Sequence, residues 1–364
     1  MTALKQEILK LIAQEGPISI ERYMALCLGH PKFGYYMTRD PLGASADFIT
    51  APEISQIFGE LIGLWVAQVW LDMGQPEELL LVECGPGRGT LMRDALRAAG
   101  TVPGFMKALR VELVETSPVL KAEQLRRLSG CGVPVRWHSG LQSIPAGPPR
   151  IIVGNEFLDA LPIRQYVRQS GGWHERMIGA SAEMLIHGLA PTAEGGLAQN
   201  APEGAVLEIA PMAQRFIKDL AKGLKDDGGA ALFIDYGHIR TGLGDTLQAV
   251  ARHAFVDPLD APGEADVTAH VDFAALSHTA QAAGLCVHGP MEQGPFLRNL
   301  GLDVRAQMLM QKAANEDQRL TIMGEERRLA DMSKTGMGKL FKAIAFTGPG
   351  QPTPPAFDES VEIR

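Results

Sequence analysis

Cysteine is scarce and unpaired in this sequence. Its 364 residues hold four, Cys27, Cys84, Cys131 and Cys286, with no C-x-x-C pair and no Cys/His cluster at zinc spacing. This excludes a disulfide scaffold and predicts reduced, mostly buried thiols with no metal site. No apolar run approaches a membrane span, since the most apolar stretch, Ile57 to Leu71, is interrupted by Glu60 and Gln68. Met1 to Gln14 lacks the continuous apolar core of a secretion signal, being broken by Lys5, Glu7 and Lys10. A cytoplasmic chain without membrane insertion is therefore expected. A basic excess is missing too: the net charge of −8 argues against a nucleic-acid binder and permits a cationic ligand in an acidic cleft. No internal repeat is visible.

The remaining composition, 46% hydrophobic and 21% charged, is that of a globular core with large additions. Residues 1–78 read as a mostly helical N-terminal region. Thr2 to Glu15 forms an amphipathic helix, Ser19 caps a second over Ile20 to Leu28, and Glu53 to Met73 reads as one long apolar helix. From residue 79 strands and helices alternate, which predicts an α/β, doubly wound, mostly parallel sheet. Strands are placed at 79–84, 109–115, 133–137, 150–155, 229–235, 285–288 and 341–346, with helices at 90–99, 117–129 and 272–283.

The expected organisation divides this core into a first half, 79–160, and a second half, 211–290. A β insertion at 161–210 offers surface to a substrate or partner, and a helical insertion occupies 291–335. The last strand, within 336–347, is expected at the sheet edge, and the proline-rich tail 348–364 is expected to be poorly ordered.

The chemistry gathers where strands end. The run Leu79-Leu80-Leu81-Val82-Glu83-Cys84-Gly85-Pro86-Gly87-Arg88-Gly89-Thr90 is an apolar strand, an acid and a glycine-rich turn opening into a helix. The turn, G-x-G-x-G, is shorter than the G-x-G-x-x-G of dinucleotide folds and leaves no diphosphate grip. It suits a nucleoside with an amino-acid tail, S-adenosylmethionine, with Glu83, Gly85, Pro86, Gly87 and Gly89 as contacts. Glu115 ends the next strand, where an acid can accept both ribose hydroxyls. The loop Asp47-Phe48-Ile49-Thr50 either closes over the cofactor or leaves Thr50 a mere helix cap.

A second cluster, Asn155-Glu156-Phe157-Leu158-Asp159, leaves the fourth core strand. Glu156 and Asp159, three apart, would share one face of a helical turn. Methyl transfer from a sulfonium is an in-line displacement that needs positioning, and an arginine acceptor stays protonated, so carboxylates must orient it and localise its charge. Glu156 with Asp159 could supply that pair beside Asn155, although spacing alone leaves an O-methyl or small-amine acceptor open. Asp235 and Tyr236 end the fifth strand beside the same cleft. Tyr36, of the pair Tyr35-Tyr36, either meets a ligand or fills a loop core.

Further segments run in the same order: Gly16-Pro17-Ile18-Ser19, His30-Pro31 with Gly34-Tyr35-Tyr36, Asp47 to Ser55, Glu115-Thr116-Ser117-Pro118, Asn155 to Pro162, Ile234-Asp235-Tyr236-Gly237 and Gly244-Asp245-Thr246-Leu247-Gln248. Together they resemble the MidA-like class I methyltransferases over residues 15 to 347. The resemblance implies a Rossmann-like, seven-stranded fold that binds S-adenosyl-L-methionine, with Gly85, Gly87 and Glu115 as cofactor contacts. It further implies symmetric dimethylation of an arginine on a respiratory complex I subunit, in aid of that complex's assembly. Cys84 departs from the leucine common in the family, inside a packed strand where little should change. Three readings compete: a protein-arginine methyltransferase, an assembly chaperone with S-adenosylmethionine as a structural ligand, and a small-molecule methyltransferase. A nucleotide-dependent oxidoreductase is disfavoured by the loop length.

Overall fold

The computed structural model describes residues 1–38, 50–169, 171–197 and 201–357. Its centre is a sheet of β1 (Leu79–Cys84), β2 (Leu109–Val114), β3 (Val135–His138), β4 (Arg150–Asn155), β5 (Gly229–His238), β6 (Cys286–Glu292) and β7 (Phe341–Thr347), in the order β6-β7-β5-β4-β1-β2-β3. Neighbours from β5 to β3 pair in parallel, and β7 runs antiparallel to both β5 and β6. β1 is buried at every position, as a parallel strand covered on both faces must be.

One face packs against helix Gln56–Asp72, helix Thr90–Ala99 and the helices between Gln293 and Ala330; the other carries Pro211–Asp227 and Phe273–Ala282. Gln56–Asp72 is apolar on nearly all sides because it lies between sheet and outer helices. Its Gly63 lets Thr90–Ala99 come close, since a Cβ there would sit 2.3 Å from the Ala95 carbonyl oxygen. Its buried Glu60 is held by Arg97 at 2.8 Å and Arg305 at 2.7 Å. A third core joins the N-terminal helices Ala3–Glu15 and Ile20–Gly29 to the insertion. There Arg164–Gln169, Gly172–Ser181, Met184–Glu194 and Val206–Ile209 form a five-stranded sheet with Ile18–Ser19.

Three sequence expectations need correction. Glu53 to Met73 is not one helix: Ser55, at φ −149°, separates a single turn, Ala51–Ile54, from Gln56–Asp72 and caps the latter through the Ile57 N–H. The last strand lies inside the sheet, and β6 is the edge. The first part of the tail is packed, with the Pro355 carbonyl accepting from Trp65 Nε1 at 3.1 Å and Phe357 buried against Phe296. The tail beyond Phe357 lies outside the described residues. The helix Pro211–Asp227 was missed, although Ala213, Ile217, Leu220 and Leu224 mark its buried face. Among the described residues no helix is long and apolar enough to cross a membrane.

Candidate active site

A cavity of about 450 Å³ opens beside the carboxyl ends of the core strands. It is lined by Glu83, Gly85, Pro86, Gly87, Glu115, Asn155, Glu156, Asp159, Tyr236, Tyr36 and Thr50, all of which the sequence singles out. Gly85 and Gly87 have φ of 64° and 52°, a region costly for residues with a Cβ.

Glu115 is fixed from three sides. Its Oε1 accepts from the Thr116 and Ser117 N–H groups at 2.8 Å each, and its Oε2 from Gln124 Nε2 at 3.0 Å. The same Gln124 nitrogen donates to the Gly87 carbonyl at 2.7 Å, while Gln124 Oε1 accepts from Trp137 Nε1 at 2.8 Å. One fully buried amide thus joins the glycine loop to the acid of the next strand. Burial raises the Glu115 carboxyl, and these donors oppose the rise.

Beyond β4 the chain turns sharply. Glu156 adopts φ 51°, a left-handed conformation that a non-glycine residue holds only when its surroundings impose it. Its Oε1 accepts from Asn155 Nδ2 at 2.9 Å and from the Ala51 N–H at 3.3 Å. Burial, with Asp159 nearby, pushes Glu156 up to about 7. Burial likewise pushes Asp159 up to about 6, opposed by the Tyr236 hydroxyl. Neither carboxylate forms a salt bridge among the described residues, although the more distant Arg328 guanidinium works against the rise at Glu156.

Two expected site residues stand behind the cavity wall. Asp235 is not at the surface: its Oδ2 accepts from the N–H groups of Phe157, Leu158 and Asp159 at 3.0, 2.8 and 3.3 Å. It holds the turn that presents Glu156 and Asp159, where a ligand contact was expected. Gly89 sits at the N-cap of helix Thr90–Ala99, against Gln124 and Leu128, away from the lining. The tyrosine pair divides. Tyr35 is core, while Tyr36 reaches the cavity and donates to Asp266 Oδ2 at 2.9 Å. Thr50 makes no side-chain cap bond, and Asp47, Phe48 and Ile49 lie outside the described residues.

Sequence reasoning missed the network around Glu53. Its Oε1 accepts from Thr90 Oγ1, and Arg88 and Arg127 lie 3.8 and 3.6 Å away, tying the turn Ala51–Ile54 to the glycine loop. It also missed Met212, Arg215, Phe216 and Asp219, which reach the cavity from helix Pro211–Asp227, and the loop Ser139–Gln142 after β3. Nothing local in those stretches marks them, because the contacts are long-range.

Three buried oxygens around the cavity have no hydrogen-bond partner among the described residues: Glu83 Oε2, Asn155 Oδ1 and Asp159 Oδ1. All are acceptors, so the walls suit a ligand rich in donors and positive charge. Among the described residues no group of three or more His, Cys, Asp or Glu could hold a metal ion. The family model for S-adenosyl-L-methionine-dependent methyltransferases matches residues 61–291.

The chain belongs to this methyltransferase family.

Its similarity to relatives runs over most of its length. Protein arginine methyltransferase NDUFAF7, mitochondrial, of Danio rerio is 37% identical over 340 residues, covering 85% of this chain and 80% of that protein. The Mus musculus protein of the same name is 36% identical over 363 residues, covering 92% and 83%. A crystal structure from Burkholderia thailandensis, bound to S-adenosyl-homocysteine, superposes with a TM-score of 0.83 at 29% identity, covering 97% of this chain and 94% of that one. The cofactor of this methyltransferase is S-adenosyl-L-methionine, whose ammonium, sulfonium and ribose hydroxyls match an acceptor-rich cavity.

Proposed function

We propose that this chain methylates arginine side chains of a protein. The observation that carries the reading is the pair Glu156 and Asp159: two carboxyls at the cavity wall, Asp159 buried and Glu156 half-buried, both raised as acids. The more distant Arg328 is the one guanidinium opposing the rise at Glu156, and neither carboxyl has a salt bridge among the described residues. A guanidinium would supply the charge and the donors they lack. The cofactor, when bound, supplies an electrophilic methyl group. In this reading Glu83, Gly85, Pro86, Gly87, Glu115 and Thr50 hold the cofactor, with Gly89 shaping the loop from behind. Glu156, Asp159 and Asn155 orient the acceptor so that a nitrogen lone pair faces the methyl. Tyr236 and Tyr36 bound the acceptor's path, and Asp235 positions the turn.

The names of the zebrafish and mouse relatives support a protein arginine acceptor. Symmetric dimethylation, a respiratory complex I subunit as acceptor, and help in that complex's assembly complete the proposal, with the β insertion 161–210 as the partner surface. A cytoplasmic location is also part of this reading, although these relatives are named mitochondrial. The test is methyl transfer from deuterium-labelled S-adenosylmethionine into extract proteins, followed by hydrolysis and mass spectrometry. Label on symmetrically dimethylated arginine is expected. Label on lysine, carboxylates or small molecules would overturn the reading. Cofactor binding with no transfer would favour the chaperone.

A further inference from the structure

A second cavity, of about 550 Å³, lies across the turn that carries Glu156 and Asp159. The two cavities share that wall. Leu158 lines the second one. Ala269, also in its lining, donates its N–H to the Asp159 carbonyl at 3.1 Å. His270 in the second cavity meets the Tyr236 ring of the first edge-on, 5.5 Å between centroids.

The lining is largely apolar, from Ile163, Leu207, Ile209 and Leu276, and the mouth follows the exposed stretch 239–243, where Ile239 is 44% and Leu243 47% exposed. The charged groups are used unequally. Glu208 is spent, accepting from the Thr246 N–H at 2.9 Å, Gln165 Nε2 at 2.7 Å and Thr246 Oγ1 at 2.5 Å. Asp272 caps helix Phe273–Ala282 through the Ala275 N–H at 2.9 Å. By contrast, Arg240 is exposed and has no ion-pair partner among the described residues, while His238 spends its Nδ1–H on the Arg240 carbonyl at 2.7 Å. The first cavity therefore has spare acceptors, and the second has the spare donors of the Arg240 guanidinium.

We propose that the second cavity docks the acceptor protein: an extended segment places an apolar side chain in it and a carboxylate against the Arg240 guanidinium, while its arginine enters the first cavity. This rests on the arginine reading above. A peptide chain is the occupant because the two cavities adjoin across one turn and offer charge of opposite sign, so neighbouring side chains of one extended segment, an arginine and an acid, complement both.

The probe is a set of synthetic peptides holding one arginine and a Leu-Asp pair moved from two to six residues either side of it. Binding to protein saturated with S-adenosylhomocysteine is read by fluorescence anisotropy. At the best spacing, Leu-Asp is expected to bind at least tenfold tighter than Leu-Lys. Arg240→Glu should reverse that preference, and Leu276→Trp should weaken the whole set, with S-adenosylhomocysteine affinity unchanged in both. Equal binding of Asp and Lys peptides, or a preference that survives Arg240→Glu, would overturn the proposal. So would octanoate binding in this cavity without competing with peptide. Each peptide is also made with norleucine in place of arginine. An acid preference kept there, with no loss of affinity, supports the docking site and counts against the arginine reading, so the two fail separately.

Discussion

The carboxylate of Asp235 accepts a hydrogen bond from the backbone N–H of Asp159 at 3.3 Å, so one buried acid sets the position of another. With the bonds from Phe157 and Leu158, it fixes the turn on which Glu156 and Asp159 both stand. Asp235→Asn puts an NH₂ group where these N–H groups need an acceptor. Methyl transfer should fall at least tenfold in kcat, with S-adenosylhomocysteine affinity changed less than threefold. Steady-state kinetics beside calorimetry separates this outcome from simple misfolding, which would lower both.

The raised carboxyls make stability and activity respond to pH in opposite ways. Glu156 is pushed to about 7, by burial first and then by Asp159. A carboxyl raised on folding costs nothing at low pH, where it is neutral in both states, and destabilises the fold as pH climbs from its ordinary range through 7. Glu156→Gln should therefore raise Tm at pH 8, with the gain shrinking towards pH 5, as melting curves across that range would show. Receiving a guanidinium needs the charged form, so wild-type kcat/KM should fall as pH drops through 7 and then 6.

The glycine loop predicts a separate loss. Gly87 stands at φ 52° in the cavity lining. Gly87→Val forces a β-branched residue into a left-handed conformation and fills the cofactor's path. Calorimetric titration should show S-adenosylhomocysteine binding weakened at least 100-fold, in a protein that still melts cooperatively. Normal affinity would sink the assignment of the loop.

Gln124 should act on the cofactor without touching it. Gln124→Leu removes the donor shared by Gly87 and Glu115 and strands Trp137 Nε1. An affinity loss of about tenfold for S-adenosylhomocysteine is expected. The same titration checks it, and an unchanged affinity would mean that the loop and the acid hold their places independently.

Much of this site was legible because its signals are local. An apolar strand ending in an acid, a short glycine turn and a second acid at the next strand's end stand together in sequence, as do Asn155, Glu156 and Asp159. What misled was non-local. Asp235 reads as a ligand contact because it ends a strand, yet its oxygens face backbone N–H groups from residues 157–159. The stretch Phe341–Thr347 shows no period that tells an edge strand from an inner one; its place is set by pairing with β5 and β6. Prolines after Gly348 suggested disorder, but Phe357 finds a seat against Phe296. Ser55 breaks a run whose apolar pattern continues on both sides, and the pairing of Glu53 with Thr90 and Arg127 spans 37 residues in the first case.

In the proposed reading Glu156 recognises a guanidinium. The most direct test compares an acceptor peptide carrying arginine with the same peptide carrying citrulline, its neutral isostere, on wild type and Glu156→Gln, each saturated with S-adenosylhomocysteine. Citrulline is expected to cost the wild type at least tenfold in affinity, and most of this difference should vanish in the variant. Equal binding of the two peptides to wild type, or an undiminished arginine preference in Glu156→Gln, would contradict it.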